Sequence, residues 1–136
     1  MQLIPYLAFN GNCEEAFKFY EKSLGGKITG LFRHEGTPAA SQVPKEWLQK
    51  IMHVRLEAHG AVLMGGDAPP NQYTKPAGFC VSIHVTDPAE AERVFKALSD
   101  GARVQMPIQE TFWALKFGML IDRYGQPWMV NCEKAM

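Results

Sequence analysis

The sequence predicts an α+β protein made of two βαβββ units. Three observations carry that expectation. A shift of 75 residues brings Asn12 onto Asp87, Glu15 onto Glu90, Ala16 onto Ala91, Phe19 onto Val94, Tyr20 onto Phe95 and Gly26 onto Gly101. Register kept over a whole helix indicates an internal duplication. Both segments carry apolar residues at helical spacing, and each follows one strand candidate and precedes three more. The expected organisation is one domain, residues 1–136, containing a first unit over 1–66 and a second over 78–136.

Residues 4–9 read as a strand with Leu7 and Phe9 on one face and Tyr6 and Ala8 on the other. Gly11 turns the chain. Asn12 is placed as an N-cap with Glu15 three residues on, and Cys13, Ala16, Phe17, Tyr20 and Leu24 form a buried stripe that Gly25 and Gly26 end. A strand over 27–33 follows, then an excursion over 34–50 with Pro38, Pro44 and one aromatic, Trp47; loops of that length tend to be functional covers or mobile. From 52 to 58 the alternation is regular, with Met52, Val54, Leu56 and Ala58 against His53, Arg55 and Glu57. Residues 61–64 complete the unit, and 65–78, rich in Gly and Pro, read as a linker.

The second unit opens on Val81, Ile83 and Val85 alternating with Cys80, Ser82 and His84. Asp87 then serves as an acidic cap, with Pro88 at the first helical position and Glu90 behind it. Ala91, Val94, Phe95 and Leu98 make the buried stripe, and strands are expected over 103–109, 115–121 and 127–132. The last two flank Asp122-Arg123-Tyr124-Gly125, read as a hairpin turn with Gly125 at positive φ and Asp122 capping it.

Composition narrows the function. Lys plus Arg and Asp plus Glu number 14 each, so no net field favours nucleic acid or an anionic membrane. The expected partner is a small molecule or a second copy of the chain. Three widely spaced cysteines without a CxxC motif suit a reducing compartment, and neither a leader pattern nor a span of ~20 apolar residues is present, so a cytoplasmic location is expected.

Residues 5–20, together with Glu110-Thr111-Phe112-Trp113, the segment 122–125 and Pro127-Trp128-Met129, closely resemble the PhnB-like branch of the vicinal oxygen chelate superfamily. That superfamily includes glyoxalase I, bleomycin resistance proteins and extradiol dioxygenases. The resemblance implies a curved mixed and antiparallel sheet forming a half-barrel, with the ligand on the concave side and the helices outside, and it implies a homodimer. It implies no substrate, because fold alone fixes no reaction.

Metal enzymes of the superfamily place His, Gln or Glu on the first and last strands of each unit. Those positions fall here on Ile4 or Pro5, Leu63 or Met64, Cys80 and Met129. None supplies an oxygen or nitrogen donor, so no metal and no cofactor are expected. Met64, Cys80 and Met129 offer sulfur to a soft ion, but such side chains in a sheet more often pack.

If Cys80 faces the cavity, alternation turns Ser82 and His84 the same way, and similar logic turns His53, Arg55 and Glu57 inward and sets Asn131 beside Met129. The candidate ligand-binding set is therefore Tyr6, His53, Arg55, Cys80, Ser82, His84, Glu110, Phe112, Trp113, Met129 and Asn131. His53, His84 and Glu110 are the candidates for acid or base work, His84 only if Glu110 or Glu57 orients it. Each has a structural counterpart: His53 and Arg55 as solvated strand residues, Cys80 as an inert thiol, Trp113 and Trp128 as core. The resulting expectation is a metal-free protein that acts as a binder of, or an unassigned enzyme on, a small anionic or aromatic compound, with Arg55 suited to a carboxylate or phosphate. Against it stand a metal-dependent lyase, isomerase or dioxygenase with displaced ligands, a drug-sequestering protein, and a 3-demethylubiquinone methyltransferase. The last lacks a glycine-rich loop running from a strand into a helix.

Overall fold

The computed structural model describes residues 1–135, which divide into two compact units, one up to Thr74 and one from Lys75. The first runs β1 (Tyr6–Phe9), α1 (Cys13–Leu24), β2 (Lys27–Arg33), β3 (Ile51–Ala58) and β4 (Ala61–Asp67). Its sheet order is β1-β4-β3-β2, parallel between β1 and β4 and antiparallel elsewhere. The second unit repeats this plan with β5 (Val81–His84), α2 (Pro88–Leu98), β6 (Arg103–Gln109), β7 (Ala114–Ile121) and β8 (Pro127–Glu133), in the order β5-β8-β7-β6. The βαβββ plan read from the 75-residue register is thus present in both units.

In the first unit α1 lays its stripe on the sheet: Cys13, Ala16, Phe17 and Tyr20 are fully buried against Leu7, Phe9, Val54 and Leu56. Phe17 meets Phe9 and Tyr20 edge to face at 5.9 and 5.5 Å, a geometry that aromatic quadrupoles favour. The ring approaches so closely that a Cβ on Gly65 would lie 2.6 Å from it. Gly118 is used in the same way under Phe95 of α2, also at 2.6 Å. Glycines on the sheet therefore set how near each helix sits.

Two local expectations are corrected. Asn12 makes no side-chain cap. The carboxylate of Asp67, at the end of β4, accepts instead from Gly11 N at 2.8 Å and Cys13 N at 3.0 Å, and its second oxygen takes Ile51 N at 2.9 Å. A buried anion at the positive end of α1 thus ties helix, β3 and β4 together, and burial beside it pushes the Cys13 thiol up. Hence residues 65–67 belong to β4 and not to the linker.

The excursion over 34–50 forms two short 3₁₀ turns, Pro38–Gln42 and Lys45–Trp47, held to the start of α1. Arg33 donates both terminal nitrogens to Glu14 at 2.9 and 3.0 Å, and Lys50 donates to Gly11 O at 2.9 Å. In the second unit Asp87 caps α2 through Ala89 N as read from the sequence. Asp122 caps its turn through Tyr124 N and Gln126 N, and its other oxygen accepts Trp128 Nε1–H at 2.7 Å. Gly125 has φ +89 as the turn requires. Trp128 is core at 1% exposure, whereas Trp113 is 40% exposed.

Candidate functional site

The site residues lie on the sheet faces turned away from the helices. In the first unit Tyr6 and Met64 are register partners, and Arg55 pairs with Met64 from the other side, so all three share a face with His53. Tyr6 reaches across β4 to donate to Met52 O at 3.3 Å and to stack on His53, with centroids 5.8 Å apart. It crosses at Gly66, where a Cβ would come within 2.9 Å of the Tyr6 hydroxyl. Arg55 is held by Glu57 at 3.3 Å, and this partner keeps the Glu57 carboxyl below its ordinary range after a side-chain bond from Thr29.

The second unit gathers more. Ser82 pairs with Met129 and His84 with Asn131, while Val81 and Ile83 share the helix side with the buried Trp128 and Val130. Ser82 Oγ lies 2.8 Å from His84 Nε2, His84 Nδ1 lies 3.4 Å from Asn131 Nδ2, and Asn131 Nδ2 lies 3.4 Å from Glu133 Oε1. The Asn131 amide nitrogen faces both Glu133 Oε1 and His84 Nδ1, so in this geometry Nδ1 accepts and the tautomer with its proton on Nε2 donates to Ser82 Oγ, which leaves Ser82 without a base on this ring.

A groove of about 380 Å³ opens beside this chain of contacts, lined by His84, Val85, Thr86, Leu115, Asn131, Glu133 and Ala135. Asn131 is 5% exposed and its Oδ1 is buried without a hydrogen-bond partner. Phe117 stands opposite Asn131 in the β7–β8 ladder. Trp113 packs on Phe117 at 5.2 Å and Phe112 on Trp113 at 4.8 Å, both edge to face.

Of the residues singled out from sequence, the structure assembles Ser82, His84 and Asn131 in one network, with Met129 on the same face and Phe112 and Trp113 in the adjoining aromatic run. Tyr6, His53 and Arg55 form a separate group on the first unit. Cys80 is half-buried just before β5, with no part in either network among the described contacts. Glu110 does not orient His84: Lys134 binds it at 2.9 Å and holds its carboxyl below the usual carboxylate range. Nor does Glu57, whose partner is Arg55. Sequence reasoning missed Glu133, Thr86 and Phe117. The alternation that found Asn131 from Met129 and His84 from Ser82 reaches Glu133 and Thr86 one step later.

The profile of the 3-demethylubiquinone-9 3-methyltransferase family matches residues 1–131. The chain belongs to that family. Protein YjdN of Escherichia coli K12 is 32% identical over 98% of this chain and 97% of its own. The crystal structure of protein PA1353 from Pseudomonas aeruginosa is 46% identical over 99% of both chains, with a TM-score of 0.89. At the level of fold alone, a glyoxalase/bleomycin resistance protein/dioxygenase family enzyme from Burkholderia phytofirmans PsJN matches 96% of this chain and 97% of its own, at 11% identity and a TM-score of 0.65.

The metal that this PhnB-like fold implies finds no suitable donors at the inherited positions. Ile4 or Pro5, Leu63 or Met64, Cys80 and Met129 offer alkyl groups, thioethers and one thiol, and the register partners of Met64 and Met129 are Tyr6 and Ser82. Among the described residues no three His, Cys, Asp or Glu side chains cluster as an ion would require. The family's inherited ion site and this donor set do not fit.

Proposed function

We propose that the protein is a metal-free binder of a small organic molecule, which it receives in the groove of the second unit. The observation that carries this reading is a groove whose lining includes His84, Asn131 and Glu133 of the Ser82–His84–Asn131–Glu133 network. Its volume lies within the ~300–1,000 Å³ of small-molecule sites, and a largely apolar wall with a few oriented polar groups is what such sites present. Of the two ligand classes expected from the sequence, an aromatic body suits the apolar wall that Val85, Leu115 and Ala135 provide. An anionic group would meet Arg55 only beside Glu57.

The metal-free part is supported by the alkyl, thioether and thiol side chains at the positions that the resemblance names, none of which brings an oxygen or nitrogen donor. Elemental analysis of protein purified without chelator is expected to find no stoichiometric divalent ion; one ion held per chain would refute it. The family's description names methyl transfer, but we do not extend that activity to this chain, which has no glycine-rich loop leading into a helix. Stoichiometric binding of S-adenosylmethionine in a calorimeter would reverse that judgement. We further read the protein as a cytoplasmic homodimer. Tyr6, Phe32, Phe112, Trp113 and Leu115 are all exposed within the single chain, apolar area of the kind a second copy covers, and the three free thiols suit a reducing compartment. Light scattering is expected to return twice 15.2 kDa.

A further inference from the structure

We infer that the groove of the second unit selects a planar aromatic ring, which it takes by stacking on the face of the His84 imidazole. This rests on the small-molecule reading above and names both the ligand class and the residue that selects it.

The polar groups that line the groove are largely committed to one another. Asn131 Oδ1 is buried beyond a ligand's reach, and Asn131 Nδ2 serves His84 and Glu133. The His84 ring is tied at both nitrogens, with Nε2 at 2.8 Å from Ser82 Oγ and Nδ1 at 3.4 Å from Asn131 Nδ2. An imidazole engaged at its two in-plane polar atoms keeps no hydrogen bond for a ligand. What it offers is its π-face, and His84 is exposed and lines the groove. The two tethers also hold the ring in one orientation, so little rotamer freedom is left to lose when a ligand lies on it. The first unit shows what such a face accepts. There Tyr6 stacks on His53, with centroids 5.8 Å apart and planes 29° apart. Among the described ring contacts none covers His84 in the same way. Val85, Leu115 and Ala135 supply the apolar wall around a bound ring, and Thr86 supplies a hydroxyl for a polar substituent.

Calorimetry on the full chain with benzyl alcohol and cyclohexylmethanol tests this. The two probes differ only in the ring, and the saturated one is the more apolar. Burial alone therefore favours cyclohexylmethanol or treats the two alike, whereas stacking favours benzyl alcohol. Benzyl alcohol is expected to bind about three- to tenfold more tightly, the range for an aromatic pair. His84→Ala should abolish the preference and His84→Phe, which keeps a ring face without the nitrogens, should retain it. His84 is exposed, so an unchanged melting temperature will show that each variant is folded. A preference that survives in His84→Ala, or a His84→Phe protein as indifferent as His84→Ala, overturns the stacking assignment. If the two alcohols bind the unaltered protein equally, or cyclohexylmethanol binds better, and both shift the amide resonances of 84–86 and 131–133, the small-molecule reading stands and the stacking assignment falls. If neither binds, both fall.

Discussion

Glu133 decides the character of the candidate site through a residue it touches at 3.4 Å. Its carboxylate orients the Asn131 amide, the amide selects the His84 tautomer, and the tautomer makes Ser82 an acceptor. Nitrogen NMR of the His84 ring is therefore expected to show a bare Nδ1 and a protonated Nε2; the reverse would break the sequence of contacts at its first step. Asp122 is the structural counterpart, accepting two backbone N–H groups and the indole of Trp128. Asp122→Ala strands those donors and should cost about 3 kcal/mol in chemical denaturation, within the range for bonds to a charged group. At Gly118, the overlap of an added methyl with the Phe95 ring predicts a loss of about 1–3 kcal/mol for Gly118→Ala, the usual cost of overpacking.

At the scale of elements, both helices and all eight strands were legible in the sequence because their signals are local. Cys13, Ala16, Phe17 and Tyr20 keep helical period, and His53, Arg55 and Glu57 keep strand period. The cap of α1 was not legible, because Asp67 arrives from a strand 54 residues away from Cys13 and leaves no local trace. Phe117 was missed because its role depends on cross-strand register, which alternation along one strand does not give, whereas Glu133 lies one alternation step beyond Asn131 on the same strand. The excursion over 34–50 shows how such distant contacts act together. Hydrogen bonds from Arg33, with its charge and that of Lys18 adding to them, hold the Glu14 carboxyl down to about 2 from an ordinary 4.5. Since the folded-state value lies below the unfolded one, the stabilisation is fully present above about pH 4.5 and is lost as pH falls towards 2. Both side chains are about a third exposed, so Arg33→Met should cost only about 0.5–1 kcal/mol at neutral pH, the range of surface pairs. Denaturation curves of the two proteins are expected to draw together by pH 2.

For the whole molecule, the duplication supplies two sheets of the same plan and the sequence then makes their outward faces unlike. The first carries Tyr6 stacked on His53 over Gly66 and the Arg55–Glu57 pair; the second carries the oriented polar chain, the groove and the aromatic run. Oxygen and nitrogen donors are missing from the strand positions that the resemblance names in both units, and the polar residues that remain lie elsewhere on the two sheets. The central claim is that a small molecule enters the groove of the second unit, and backbone amide NMR of the full chain titrated with benzyl alcohol in the presence of a chelator tests it most directly. The account predicts saturable shifts confined to residues 82–86, 113–117 and 129–133. Saturable shifts centred on residues 53–55, or a response that appears only when a divalent ion replaces the chelator, would contradict it.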